Sequence, residues 1–504
     1  MGSGACEGDG PAGDCGTCIE QGWVEGLAED STCSYLGIPY AKPPVGEARF
    51  TAPEPAEGWS GVRKATEFSA ACEQGMSFGS IANLAGDTGM SEDCLYINVW
   101  TPSKEPENPL PVMVYVYGGG YTSGSTSTYI GKGISEAGDV VVVSMNYRVG
   151  ALAFFATPEL DAERGDKPAG SDGIRDQQLA LQWVQDNIEA FHGDPSNVTI
   201  FGESAGSSAV GIHLVSPGSK GMINRYIMES GVPLHGVRNG VAPLTRQEMY
   251  DRTAELVADL CSGKTDVLGC LRDLAPEDII AWSPADATSD VGWAPVIEGK
   301  GGVLPNSPDK LIASGKINEG EVIVGTNKNE YGLFALIGTS ASTVDEMRSL
   351  VEMSFPDAVD DIMAVYEADA AASASQAYIT MMTDIMFRCD TRRFARQVSA
   401  QGRDVYLYSF EQGTAWHSDE LAYIFGDGNF TLAVSAPLAS LSDAMRGYWL
   451  NFAHNGDPNG DGLTKWPKYT EASDKNMTLV DPPAVATGLQ KESCDFWDDY
   501  LANH

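Results

Sequence analysis

The chain has 504 residues, of which 43% are hydrophobic and 9% aromatic, enough apolar side-chain surface for a packed interior and far from the profile of a disordered chain. Seventy Asp and Glu against 32 Lys and Arg leave a net charge of -38, which repels nucleic acid and anionic membranes, so neither is expected as a partner. Acidity of this size serves solubility, or a saline habitat in which counterions screen the self-repulsion.

No apolar run approaches the roughly 20 residues that a membrane span needs. The N-terminal stretch MGSGACEGDGPAGDCGTC has neither the basic start nor the apolar segment of a secretion signal. Residues 1–19 are rich in Gly and Cys and short of large apolar side chains, and are read as an N-terminal extension of a single domain over 20–504. Ten cysteines is an even count, which favours structural disulfides and an oxidising compartment, so the mature protein is expected to be secreted or periplasmic. Only Cys15 and Cys18 have metal-ligand spacing, and no histidine lies near them, so no metal is expected there.

From about residue 110, short β-branched runs alternate with helical patterns, the mark of βαβ units and a mostly parallel sheet. Strands are predicted over 111–117 (PVMVYVY), 140–147 (VVVVSMNY), 197–202 (NVTIFG), 225–230 (RYIMES), 321–326 (EVIVGT) and 404–410 (DVYLYSF). Several are apolar on both faces, as buried parallel strands require. Within 171–191, Ile174, Leu181, Val184, Ile188 and Phe191 recur at helical spacing behind Ser171 and Asp172 as capping candidates.

The sequence Gly202-Glu203-Ser204-Ala205-Gly206 directly follows one predicted strand and directly precedes a helical pattern. A G-x-S-x-G segment in that setting marks a strained strand-to-helix turn that lifts the Ser204 hydroxyl to the N-terminus of a helix, where developing negative charge is favoured. With this topology the chain order is serine, acid, histidine. His192 precedes the serine, His213 and His235 follow it too closely, His454 lies in a helical pattern and His504 is terminal, which leaves His417, in the loop after the strand 404–410. The acid is sought after EVIVGT, where Glu330 is the candidate and Asp309 and Glu298 are weaker alternatives. Tyr117-Gly118-Gly119-Gly120-Tyr121 follows the strand 111–117 and matches a glycine-rich loop that supplies oxyanion donors, assigned to Gly119, Gly120 and the amide of Ala205.

With those residues in position, the sequence resembles the type B carboxylesterase family, which includes the cholinesterases, over nearly all of 20–504. The segments carrying the likeness are YLGIPYAKPPVGEARF (35–50), SEDCLYINVWTP (91–102), DQQLALQWVQDNIEAFHGDPSNVTIFGESAG (176–206), PVIEG (295–299) and WHSDELAYIFG (416–426). The resemblance implies an α/β-hydrolase fold: a large, mostly parallel central sheet flanked by helices, with insertions forming a gorge and Ser204, Glu330 and His417 at its foot. It also implies disulfides Cys72 to Cys94, Cys261 to Cys270 and Cys389 to Cys494, support of the triad by Glu203 and Ser230, and scaffold ion pairs at Arg49 with Glu92 and at Arg148. Cys6, Cys15, Cys18 and Cys33 fall outside that scheme.

Departures from the family pattern bear on substrate. Residues 73–93 contain no tryptophan, whereas cholinesterases carry one between the first disulfide pair to bind quaternary ammonium through its π face. Ser289 and Val291 stand where bulky aromatics restrict the acyl pocket. Tyr331 and Ser418 stand where glycine often follows the acid and the histidine. The expected function is hydrolysis of small-molecule carboxylic esters through an acyl-enzyme on Ser204, broad for medium or bulky acyl and aryl groups rather than choline, with no cofactor. Alternatives are a catalytically silent adhesion protein on the same scaffold, like the neuroligins, or a lipase, amidase or specialised hydrolase of bulky natural or synthetic esters. Asp457-Pro-Asn459-Gly-Asp461-Gly462 imitates the opening of a calcium loop, but Lys468 stands where a bidentate glutamate is needed, so it is read as a turn.

Overall fold

The computed structural model describes residues 6, 10–11, 13–75, 88–282, 292–336, 338–426 and 436–504. Eleven strands within them form one sheet: β1 (Leu27–Glu29), β2 (Thr32–Pro39), β3 (Tyr96–Pro102), β4 (Leu110–Val116), β5 (Val141–Met145), β6 (Gly193–Glu203), β7 (Arg225–Glu229), β8 (Glu321–Asn327), β9 (Val405–Phe410), β10 (Lys475–Leu479) and β11 (Ala484–Thr487). Their spatial order is β11-β10-β9-β8-β7-β6-β4-β5-β3-β2-β1. The run from β10 through β6 to β4 and β5 is parallel, and both flanks are antiparallel.

All six predicted strands form, with small changes at their ends. The run predicted over 140–147 stops at Met145, and beyond it the Asn146 side-chain carbonyl accepts from Thr126 N–H while its side-chain amide donates to Ala70 O. The run predicted from 197 begins earlier, at Gly193, through an irregular register between Gly193 and Val198.

The predicted helix spans Asp172–Asn187 (α1) and tightens into a 3₁₀ turn over Ile188–Phe191, with all five stripe residues buried. Its expected caps do other work. The Ser171 hydroxyl donates to Val296 O and accepts from Val296 N–H, and the Asp172 carboxylate takes Arg164 at 2.7 Å and Arg175 at 3.2 Å. Ser171 is taken by Val296 and Asp172 by Arg164 together with Arg175 of its own first turn, and no side chain caps the helix.

Five disulfides are present: the three implied by the resemblance, together with Cys6 to Cys18 and Cys15 to Cys33. Gly16–Ile19 also pairs with Gly22–Glu25, and the Thr17 hydroxyl donates to Ala190 O at 2.7 Å, so backbone and side chain join sulfur in docking the N-terminal segment. The bridge from Cys389 to Cys494 spans 105 residues, and closing a loop of that length removes about 5 kcal/mol of unfolded-state freedom in the chain-entropy account. Cys389→Ser with Cys494→Ser is therefore expected to cost about 2 kcal/mol more than Cys6→Ser with Cys18→Ser, whose loop is 12 residues, and to lower the urea midpoint further; equal losses would contradict that account.

The charge pairs read as scaffold are inside. Arg49 grips Glu92 through two bonds of 2.6 and 2.7 Å and donates to three carbonyls, including Leu274 O. Arg148 meets Asp176 at 2.7 Å, both buried. In the turn 457–462, the Asn459 side-chain carbonyl accepts from Trp466 N–H and its amide donates to Trp466 O and Asp457 Oδ1.

Candidate active site

Parallel strands present their carboxyl ends on one edge, and a site forms where the connections diverge. Here the carboxyl ends of β4, β6, β7, β8 and β9 lie side by side, with Val116 opposite Gly202, Glu203 opposite Glu229, and Asn327 opposite Phe410. The glycine loop follows β4, Ser204 follows β6, Ser230 follows β7, Glu330 follows β8 and His417 follows β9.

Ser204 follows β6 at φ +57° and ψ −123°, and its N–H donates to Glu229 O at 2.8 Å before the helix Ala205–Val215 (α2) begins. A non-glycine residue holds such a conformation only where its surroundings impose it. They do so through close approach: a Cβ on Gly202 would lie 2.6 Å from Val116 O, and one on Gly206 would lie within the envelope of that same oxygen and 2.6 Å from Tyr117 O. The glycine spacing read from the sequence is thus a spacing of main-chain contacts.

The glycine loop after β4 bends through Gly119 at φ +109° and Gly120 at φ +63°. Among the described residues, the N–H groups of Gly119, Gly120 and Ala205 donate to no protein acceptor. The loop passes close to the serine, since a Cβ on Gly118 would stand 2.9 Å from both Ser204 Cβ and Glu203 Oε2.

His417 Nδ1 lies 2.6 Å from Glu330 Oε2, and His417 Nε2 lies 3.2 Å from Glu203 Oε1. Glu330 is fixed in turn, its Oε1 accepting from Asn327 N–H at 2.7 Å. The rings of Phe387 and Phe334 cover the imidazole at 4.9 and 5.2 Å. The loop that carries His417 is tied at several points: Trp416 O accepts from the Asn327 amide, and Trp416 N–H donates to Asp419. The Ser204 hydroxyl makes no hydrogen bond among the described residues. An open link of this kind is common without substrate and tightens on binding.

Behind the histidine lies a set of buried carboxyls. The Ser230 hydroxyl donates to Glu420 Oε1 at 3.1 Å, the Asn327 amide donates to Glu420 Oε2, and Trp449 Nε1 donates to Glu229 Oε1 at 3.0 Å. Burial, reinforced by repulsion from neighbouring carboxylates, Glu420 and Glu203 for Glu229 and Glu203 and Glu330 for Glu420, holds both well above the usual carboxylate range. Glu203 is raised by burial as well, against the pull of His417 and the Ser418 hydroxyl. For His417, burial works downward but the carboxylates of Glu203 and Glu330 prevail and lift it to about 9. A base must be neutral to accept a proton, so the acid limb of kcat/KM is expected on the alkaline side of an ordinary imidazole. Glu203→Gln is expected to move that limb to lower pH, and a limb that stays where it was would contradict the assigned cause.

The weaker acid candidates lie elsewhere. Glu298 is held by Arg175 at 2.8 Å, and Asp309 accepts from His235 N–H. Of the other histidines, His213 is bonded to Ser219 and Gln177, and His454 to Gly138 O. Ser289 and Val291 lie outside the described residues. Tyr331 packs edge-on against Tyr378 and its hydroxyl donates to Thr339 O, joining a second apolar cluster built largely from residues 331–389. Sequence reasoning missed Glu229, Glu420, Phe334 and Phe387. An acidic residue closing the apolar strand RYIME, and another opening the apolar run LAYIF, were the signals for the first two.

A serine on a strained turn between strand and helix, a nearby buried histidine–carboxylate pair and unengaged amides beside it define a serine hydrolase of the α/β-hydrolase class. The sequence profile described as "Carboxylesterase family" matches residues 17–497. An acetylcholinesterase from Bungarus fasciatus is 33% identical, covering 98% of this chain and 87% of its own, and one from Electrophorus electricus is 33% identical, covering 93% and 84%. The chain belongs to the carboxylesterase family, and it is a serine carboxylic-ester hydrolase.

Proposed function

We propose that Ser204, His417 and Glu330 cleave esters in two steps through an acyl-enzyme, with Gly119, Gly120 and Ala205 as oxyanion donors. Ser204 attacks the ester carbonyl as His417 Nε2 takes its proton. The negative charge on the carbonyl oxygen is met by the three amides, each donor of this kind contributing about 3 kcal/mol in the transition state. His417 returns the proton to the departing alcohol, then activates a water that releases the acid. Glu330 fixes the imidazole with Nδ1 carrying its proton and Nε2 free to accept. The 2.6 Å contact between Glu330 and His417, in line with the tight elbow at Ser204, carries this reading.

The substrate class follows from what stands near the site in sequence. Without a tryptophan in residues 73–93, a choline headgroup loses a cation–π contact that contributes up to about 2 kcal/mol when desolvated. By the family resemblance, Ser289 and Val291 replace the bulky aromatics that restrict acyl size, side chains of smaller volume. We therefore assign medium or bulky acyl and aryl esters of uncharged alcohols. Initial rates on p-nitrophenyl acetate, butyrate, octanoate and benzoate, run beside acetylthiocholine, test this. Butyrate or larger acyl groups are expected to match or exceed acetate in kcat/KM, with no advantage for the choline ester; a sharp preference for acetyl or for choline would overturn it.

Five disulfides favour an oxidising compartment, and we assign the mature protein to a secreted location. Among the described residues, no helix is long and apolar enough to cross a membrane.

A further inference from the structure

Ser418 is at odds with its backbone. It holds φ +70°, in the left-handed region that glycine adopts freely and other residues do not. Its hydroxyl is buried and donates to Glu203 Oε1 at 2.6 Å. That same oxygen lies 3.2 Å from His417 Nε2, the atom that must serve Ser204. A serine here incurs backbone strain that glycine would avoid, and what it gains is one short, charge-assisted bond to a carboxyl facing the imidazole.

Resting on the ester-hydrolase reading above, we infer that Ser418 is a positioning residue: its hydroxyl anchors the Glu203 carboxylate against His417 Nε2, and so sets how firmly the protonated imidazole is held. The other side of Glu203 is closed by Gly118, where the carboxyl's Oε2 lies against the oxyanion loop, so the group has little room to turn while Ser418 holds it. His417 is faced by Glu330 across Nδ1, by Glu203 across Nε2, and by Glu420 and Asp419 from its own loop. Glu203 is faced by His417, Glu330, Glu229 and Glu420. The nearby phenols of Tyr115 and Tyr129 stay neutral, because burial pushes them far above their usual range. Ser418 is thus the neutral donor that decides where the Glu203 charge sits. Removing it takes away the bond that favours the ionised form of this buried carboxyl, so Glu203 protonates more readily, and it also frees the group to shift; either effect weakens its hold on the imidazolium.

The test follows the downfield Nδ1 proton of His417 by proton NMR across neutral and alkaline pH in wild type, Ser418→Gly, Ser418→Ala, Glu203→Gln and Glu203→Gln with Ser418→Gly. Both Ser418 variants are expected to titrate at lower pH than wild type by about half a pH unit or more. Their melting temperatures should diverge, since glycine relieves the strained φ and alanine does not. On the Glu203→Gln background, Ser418→Gly is expected to add no further shift, and the acid limb of kcat/KM should move with the NMR midpoint. Titrations that coincide with wild type, a shift that tracks melting temperature rather than hydroxyl loss, or an undiminished shift on the Glu203→Gln background would each overturn the inference. The NMR midpoint needs no turnover, so an inactive protein with the predicted shifts would refute the hydrolase assignment and leave the Ser418 contact standing.

Discussion

Glu330→Gln is expected to lower kcat by about ten-thousandfold while leaving the fold intact. Glutamine has nearly the shape of glutamate, but its two termini differ. The Glu330 Oε1 position accepts from Asn327 N–H at 2.7 Å, so the amide oxygen stays there and the NH₂ group is turned toward His417 Nδ1. The imidazole must then accept at Nδ1 and carry its proton on Nε2, the tautomer that takes nothing from Ser204. Loss of the carboxylate charge also removes the partner of the imidazolium that forms as Ser204 attacks. Steady-state kinetics with p-nitrophenyl butyrate, read beside a thermal melt, checks the prediction. A variant within tenfold of wild type would show that Glu330 does not orient the histidine.

Gly206→Ala is expected to prevent accumulation of folded protein, or to destabilise it by more than about 4 kcal/mol, as severe core overlaps do. The new methyl would meet Val116 O and Tyr117 O. Both are main-chain atoms at the end of β4, Val116 held by the β4 to β6 ladder and Tyr117 O by the Tyr147 hydroxyl, and neither can rotate away as a side chain would. Gly120→Ala is the contrasting case. Its Cβ would find nothing nearer than Thr122 Oγ1 at 3.8 Å, and the cost there is the positive φ of 63° alone, about 1 to 2 kcal/mol. Denaturant midpoints of the two variants should therefore differ widely, and similar midpoints would contradict the close-approach argument for the elbow.

The two glycines illustrate what the sequence discloses. A chain that must pass main chain against main chain writes that need as glycine at fixed spacing, which is why Gly202 and Gly206 could be read without coordinates. The buried parallel strands were equally legible, because Val322, Ile323 and Val324 are buried without a break and leave no ambiguity of face. Strands at the sheet edges were not. Lys475–Leu479 and Ala484–Thr487 carry exposed and polar positions, and Thr32–Pro39 is broken by a register shift between Tyr35 and Ile38, so each resembles a loop in hydrophobic pattern. The caps at Ser171 and Asp172 were misread for another reason: Ser171 is claimed by Val296, 125 residues away and chosen by tertiary packing, and Asp172 by two arginines, Arg164 and Arg175. The carboxyl cluster around His417 was hidden in the same way, since Glu229 and Glu420 are 191 residues apart in sequence and meet only through the ends of β7 and the loop after β9.

The hydrolase assignment is tested most directly by intact mass after exposure to an organophosphate such as diisopropyl fluorophosphate, with wild type and Ser204→Ala treated side by side. Wild type is expected to gain a single dialkylphosphoryl adduct with parallel loss of ester hydrolysis, and Ser204→Ala to gain none. Unlabelled wild type, or equal labelling of both proteins, would contradict Ser204 as the nucleophile.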